Sequence, residues 1–167
     1  RRQRQMCIRD RLNNHQIENV LLQDSSRPTT EKIRYMVEHQ KLFRLSRLKE
    51  HELPKVIENK LIDELHQQAP KVKGILISDF VYGVITPRIL ETISQLASRH
   101  QLLLFGDLQC SSQIGNVSKF NQFELICRTE KEALIPLFIH NEVVEWVANT
   151  LMQKTASSNL VMKLGAG

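Results

Sequence analysis

Gly74-Ile75-Leu76-Ile77-Ser78-Asp79, continued by Phe80-Val81-Tyr82-Gly83 and then by Thr86-Pro87, is the stretch that decides the fold. A short apolar run ends on a carboxylate, as expected of a parallel strand buried on both faces. Thr86 before Pro87 reads as a helix N-cap with proline at the first helical position. Ile89, Leu90, Ile93, Leu96 and Ala97 then supply one buried helical stripe. Leu102-Leu103-Leu104-Phe105-Gly106-Asp107 repeats the pattern of apolar run and terminal acid. Phe123-Glu124-Leu125-Ile126-Cys127 is a third run, leading into Thr129-Glu130-Lys131-Glu132. Open parallel sheets bind ligands outside the carboxyl ends of their strands. The chain therefore delivers acidic groups to that edge.

Working outward, Pro54 suits a helix start, and Leu53, Val56, Ile57, Leu61 and Leu65 mark its apolar face. Upstream, Val20-Leu21-Leu22 reads as a short strand, and Asp24-Ser25-Ser26-Arg27-Pro28 as a turn. Residues 30–37 alternate imperfectly. Leu42-Phe43-Arg44-Leu45 follows after His39-Gln40-Lys41, which predicts a β-hairpin or two successive antiparallel strands. Downstream, residues 110–121 are polar and read as a loop. Asn141 caps a helix whose face is Val144, Val147, Ala148 and Leu151. Residues 160–164 form the last strand. The order predicts an α/β fold: a doubly wound, mostly parallel sheet with antiparallel strands near the N-terminus, from residues 28–46.

The chain has 167 residues, 41% hydrophobic and 25% charged, which fits one soluble domain or a large part of one. No apolar run reaches the roughly 20 residues of a membrane helix, so no membrane partner is expected. Cys7, Cys110 and Cys127 are odd in number and lack metal-ligand spacing. They read as reduced thiols of a cytoplasmic protein. Of the net charge of +5, residues 1–11 carry +4, leaving +1 on the remainder. That is no basic footprint for nucleic acid. Met6-Cys7-Ile8-Arg9-Asp10-Arg11 resembles a translated sequencing-adapter scar, with a natural basic arm as the alternative. Residues 1–11 are therefore expected to be non-native, and the fold is read from residues 12–167. The six His are scattered, with no metal spacing.

Each acidic position has two readings. Asp79 and Asp107 suit orienting a substrate hydroxyl or holding a magnesium-bound water. Both equally suit a turn, where Asp is favoured anyway. Gly83 and Gly106 let backbone approach a ligand, or serve as plain turn glycines. Thr129 and Glu132 form a capping box, and that helix start also suits a phosphate or a hydrated metal ion. Gly165-Ala166-Gly167 is a weak phosphate-turn pattern with no helix after it. Cys110 and Cys127 lack a local base for nucleophilic work, and Trp146 reads as packing.

Ile77-Ser78-Asp79-Phe80-Val81-Tyr82-Gly83-Val84 with Thr86-Pro87 resembles the Ser-Asp-Tyr-x-x-Gly segment of ribokinase-like (PfkB-type) carbohydrate kinases. The branch it is most similar to is the heptose phosphate kinase domain of ADP-heptose synthesis enzymes. Residues 27–34 and 39–45 resemble that branch's substrate-side strands. Leu104-Phe105-Gly106-Asp107 resembles its strand ending in Asp-Pro-Lys, and Thr129 to Glu132 its Asn-x-x-Glu motif. The resemblance covers most of residues 20–167. It implies ATP-dependent phosphoryl transfer, with Mg2+, to a hydroxyl of a sugar or sugar phosphate. It places Asp79, Gly83, Asp107, Lys32 and Arg34 along the active-site edge, and Thr129 and Glu132 in the phosphate and magnesium environment. Glu132 would act on magnesium through water. The family's catalytic Asp would lie beyond Gly167, and its Gly-rich sugar-binding part before residue 12. A homodimer of the full-length protein is compatible with this family. Three departures stand out: Tyr82 replaces a Lys, Gln109 the Lys of Asp-Pro-Lys, and Thr129 an Asn. They keep open a non-catalytic sugar- or nucleotide-binding relative. An unrelated Rossmann-like nucleotide-binding domain is a third reading, needing a Gly-rich strand-turn upstream.

Overall fold

Four apolar runs pair side by side into one parallel sheet, and the alternating segment upstream folds into a separate antiparallel pair. The computed structural model describes residues 2–108, 120–129 and 144–163. The order is α1 (Arg2–Asn14), β1 (Glu31–Val37), β2 (Gln40–Arg47), α2 (Lys55–Gln68), β3 (Gly74–Asp79), α3 (Pro87–His100), β4 (Leu103–Leu108), β5 (Leu125–Thr129), α4 (Val144–Thr155) and β6 (Asn159–Lys163). The α/β class, the parallel sheet and the N-terminal antiparallel pair are those the sequence predicts.

The sheet runs β3-β4-β5-β6 with every neighbour parallel. The strand order is consecutive, and α2, α3 and α4 pack on one face. Ile77, Leu104 and Ile126 lie on that face and pack with Ile62 of α2 and with Ile89, Ile93 and Leu96 of α3. Val147 and Leu151 of α4 pack on Leu160 and Met162 of β6. The opposite face differs from expectation. Leu76 is 70% exposed, and Leu103 and Val161 are also exposed. The apolar runs thus belong to strands covered on one face among the described residues. Their continuity along the sequence does not distinguish that case.

Gly106 answers a packing need. A Cβ there would stand 3.0 Å from the Phe120 ring and 3.2 Å from the Phe123 ring. Those rings, with centroids 4.9 Å apart, close the core over β4.

Val20-Leu21-Leu22 forms no strand. Among the described residues no strand pairs with it, and all three side chains are exposed. The hairpin turns at Glu38-His39, so β2 begins at Gln40, earlier than the predicted link. Its register shifts between Tyr35 and Met36, and Tyr35 stacks on Phe43 at 4.3 Å. α1 runs through the basic segment that holds most of the net charge.

The α2–α3 contact contains a buried carboxylate. Glu58 is 1% exposed. Its Oε1 accepts from Thr86 Oγ1 at 2.6 Å. Its Oε2 accepts from Lys55 Nζ at 2.8 Å and Arg88 Nη1 at 3.1 Å. Thr86 caps α3 by accepting from the Ile89 amide, as its position before Pro87 predicts. The hydrogen bonds from Lys55, Thr86 and Arg88, in that order, hold the Glu58 carboxyl at about 2, against an ordinary 4.5.

A carboxyl whose pKa falls on folding stabilises fully above its unfolded value. That contribution is lost as pH drops toward the folded value. The chain should therefore lose stability as pH falls from about 4.5 to about 2. Glu58→Gln should lower stability at neutral pH and flatten this dependence. Urea titrations of both proteins across that window check it.

Candidate active site at the carboxyl edge of the sheet

Register places Ser78 beside Asp107 and Asp79 beside Leu108. Side chains alternate faces along a strand. Asp79 therefore lies on the helix-covered face, 3% exposed, and Asp107 on the open face. The two predicted acids share an edge but not a face.

Asp79 closes a tight turn. Its Oδ1 accepts from the Val81 amide at 2.8 Å, the local pattern that makes Asp a turn residue. Val81 has φ +61°, a left-handed conformation that costs a β-branched residue about 1–3 kcal/mol. Gly83 follows at φ +77°, and a Cβ there would overlap the His51 carbonyl oxygen. The Leu53 amide donates to the Gly83 carbonyl at 3.1 Å. Residues 79–83 are thus docked on residues 51–53.

The hairpin overhangs this turn. Lys32 Nζ stands 5.5 Å from the centroids of both the Phe80 and the Tyr82 rings, a cation–π placement. Arg34 lies on the same hairpin face, level with Arg44, and is exposed. The turn, Lys32 and Gly83 come together; Arg34 extends the basic face away from them.

On the open face, Lys163 of β6 reaches across β5 and donates to Asp107 Oδ1 at 3.0 Å. Thr129 ends β5 in extended backbone, beside Lys163. Glu132, Gln109, Cys110, Asn141 and residues 165–167 lie outside the described residues. Among the described residues, no group of three His, Cys, Asp or Glu could hold a metal ion. No described helix is long and apolar enough to cross a membrane.

Sequence reasoning missed Lys163 and Arg27. Arg27 Nε donates to Asp24 Oδ2 at 2.6 Å, Nη1 to the Tyr82 carbonyl at 2.8 Å and Nη2 to the His51 carbonyl at 2.7 Å. The Ser26 hydroxyl, ahead of Arg27, lowers the Asp24 pKa. Arg128 of β5 is fully buried. The Tyr82 partner of Arg27 and the Asp107 partner of Lys163 lie far along the chain, so local spacing carries no trace of them.

The solved ribokinase of Giardia lamblia superposes on 95% of this chain with a TM-score of 0.72 at 18% identity. The fold is ribokinase-like. Phosphofructokinase-2 of Escherichia coli, solved with substrates and products, matches 81% of the chain with a TM-score of 0.56 at 14% identity. By sequence, Bifunctional protein HldE of Trichlorobacter lovleyi is 28% identical over 145 residues, 85% of this chain and 29% of its own length. The Rhodopseudomonas palustris protein of the same name is 36% identical over 85 residues, 50% of this chain and 17% of its own length. No family model matches. The chain is thus similar in sequence to part of the HldE proteins and in fold to ribokinase. It spans less than a third of these curated relatives and about half of the ribokinase.

The 79–83 turn tolerates little change at its glycine. Gly83→Ala should destabilise the chain by about 1–3 kcal/mol, from left-handed strain and the approach to His51. Denaturant unfolding measures it, and a change within error would place the turn away from residues 51–53.

Proposed function

We propose that this chain is part of an ATP-dependent carbohydrate kinase acting on a hydroxyl of a sugar or sugar phosphate. The observation that carries the reading is the hairpin seated over the β3 turn, with Lys32 on the Phe80 and Tyr82 rings. A ribokinase-like sheet offers its carboxyl edge to ligands. Here that edge is fitted with a strained turn on one side and an ion pair on the other.

In such a reaction the sugar oxygen bonds to the γ-phosphorus as the bond to ADP breaks, and the hydroxyl proton passes to a base. Catalysis is mostly positioning and electrostatic stabilisation of the moving phosphoryl group. The base would be an Asp beyond Gly167. The 79–83 turn would line the sugar side, with Lys32 and Arg34 meeting anionic groups of the substrate. Similarity to the HldE proteins supports a heptose phosphate as that substrate. Tyr82 stands where the similar branch has Lys, and Lys32 returns a cation to that place.

On the open face, Lys163 suits a nucleotide phosphate and Asp107 a magnesium-bound water. Magnesium is commonly held by one or two carboxylates plus substrate phosphates rather than by a cage of side chains. A site with no acidic cluster among the described residues is compatible with that habit. Thr129 and Glu132 would complete this environment. We place the protein in the cytoplasm. The exposed apolar face of the hairpin, with Tyr35, Phe43 and Leu45, is compatible with a homodimer. Gln109 in place of a Lys favours a second reading, a non-catalytic binding relative.

Cloning the full reading frame around this chain allows the test. The expected outcome is magnesium-dependent ADP release on adding a sugar phosphate. Lys32→Ala should raise KM about tenfold with a smaller change in kcat, as for loss of a cation that binds ground and transition states alike. Tight sugar-phosphate or nucleotide binding without ADP release, across a broad sugar panel, would instead establish the non-catalytic relative.

A further inference from the structure

The hairpin is a sheet of its own, joined to the rest by two arms, residues 24–30 and 48–53. Arg27 stands between them, its side chain 13% exposed. One guanidinium ties the incoming arm at Asp24, the outgoing arm at the His51 carbonyl, and the β3 turn at the Tyr82 carbonyl. Lys49 Nζ, donating to the Ser26 carbonyl at 3.4 Å, is a weaker second tie between the arms. A planar guanidinium directs its donors in fixed directions, so these three bonds define one relative placement of three segments. An ammonium group cannot reproduce that fork.

We infer that Arg27 is a positioning residue that fixes the root of the hairpin on the 79–83 turn. It thereby sets where Lys32 stands over Phe80 and Tyr82. Lys32 lies only five positions along the chain, at the second residue of β1. A shift of the root therefore passes to it directly. The guanidinium bond to Tyr82 and the Leu53–Gly83 backbone bond clamp the same turn from two sides. For the enzyme, and resting there on the kinase reading above, this means that hairpin and turn meet the substrate as one unit.

The test compares the full chain with Arg27→Lys and Arg27→Ala by nuclear magnetic resonance. Two quantities are read. One is amide exchange in the hairpin, at Leu53 and in α3. The other is the ring-current displacement of the Lys32 side-chain protons by Phe80 and Tyr82. Arg27→Lys should speed exchange of Leu53 and the hairpin about tenfold, the loss expected for charge-assisted bonds. It should also move the Lys32 signals toward those of a free lysine, with α3 unchanged. Free guanidinium added to Arg27→Ala, below the concentration that unfolds it, should restore the Lys32 signals. If Arg27→Ala fails to fold, Arg27→Lys decides alone. Wild-type Lys32 signals and exchange in Arg27→Lys would overturn the inference. So would faster exchange spread equally into α3, since Arg27 would then support the fold at large. No catalytic readout enters, so the clamp and the kinase reading fail separately.

Discussion

Glu58 places a carboxylate out of water between α2 and the start of α3, and both of its oxygens are occupied. A buried charge is tolerable only when it is paired and hydrogen-bonded. This constraint fixes more than a helix contact. Thr86 must present its hydroxyl to Glu58 and also accept from the Ile89 amide. The first turn of α3 is thereby set in place relative to α2. Since β3 is held by the sheet, the connection over residues 80–85 has both ends fixed, and its path is restricted before any ligand is considered.

Within that connection the chain accepts strain. Val81 and Gly83 both sit at positive φ, and Val81 gives up conformational energy to do so. Such backbone persists where its surroundings over-determine it. Here the Asp79 carboxylate holds the Val81 amide, Leu53 holds the Gly83 carbonyl, and Arg27 holds the Tyr82 carbonyl. The strain presents Phe80 and Tyr82 as a pair, rings 6.3 Å apart, beneath Lys32. A turn made for chain reversal alone has no need of a β-branched residue in the left-handed region.

What the sequence disclosed and what it withheld follow from the range of the interactions. The β3–α3 unit was legible because its signals are local: an apolar run, Thr86 before Pro87, and a stripe at helical spacing. The hairpin was legible from alternation, though its turn was read too late because residues 38 and 39 carry no Gly or Asn to mark it. Val20-Leu21-Leu22 misled because strand propensity without a partner strand makes nothing. Asp79 and Asp107 were correctly placed at strand ends. Their separation onto opposite faces depends on a register offset between β3 and β4, which neither run contains. Arg27, with a partner 55 positions away, and Lys163, with one 56 positions away, were invisible for the same reason.

The two halves of the edge are built with unequal firmness. The turn after β3 rests on the main core, where α2, α3, β3 and β4 bury most of the apolar side chains. Asp107 and Lys163 lie on the other face, beside Leu103 and Val161 in water. Beyond β5, the packing of α4 on β6 buries Val147 and Leu151 among the described residues. Local stability scales with buried apolar contact, each fully buried Leu or Val being worth about 1.5–3 kcal/mol. The Asp79 side is therefore held rigid by its own core and clamps. The Asp107–Lys163 pair is partly exposed, on the face opposite that core. Under the kinase reading, the substrate side of the edge is preorganised, and the nucleotide side is less firmly held.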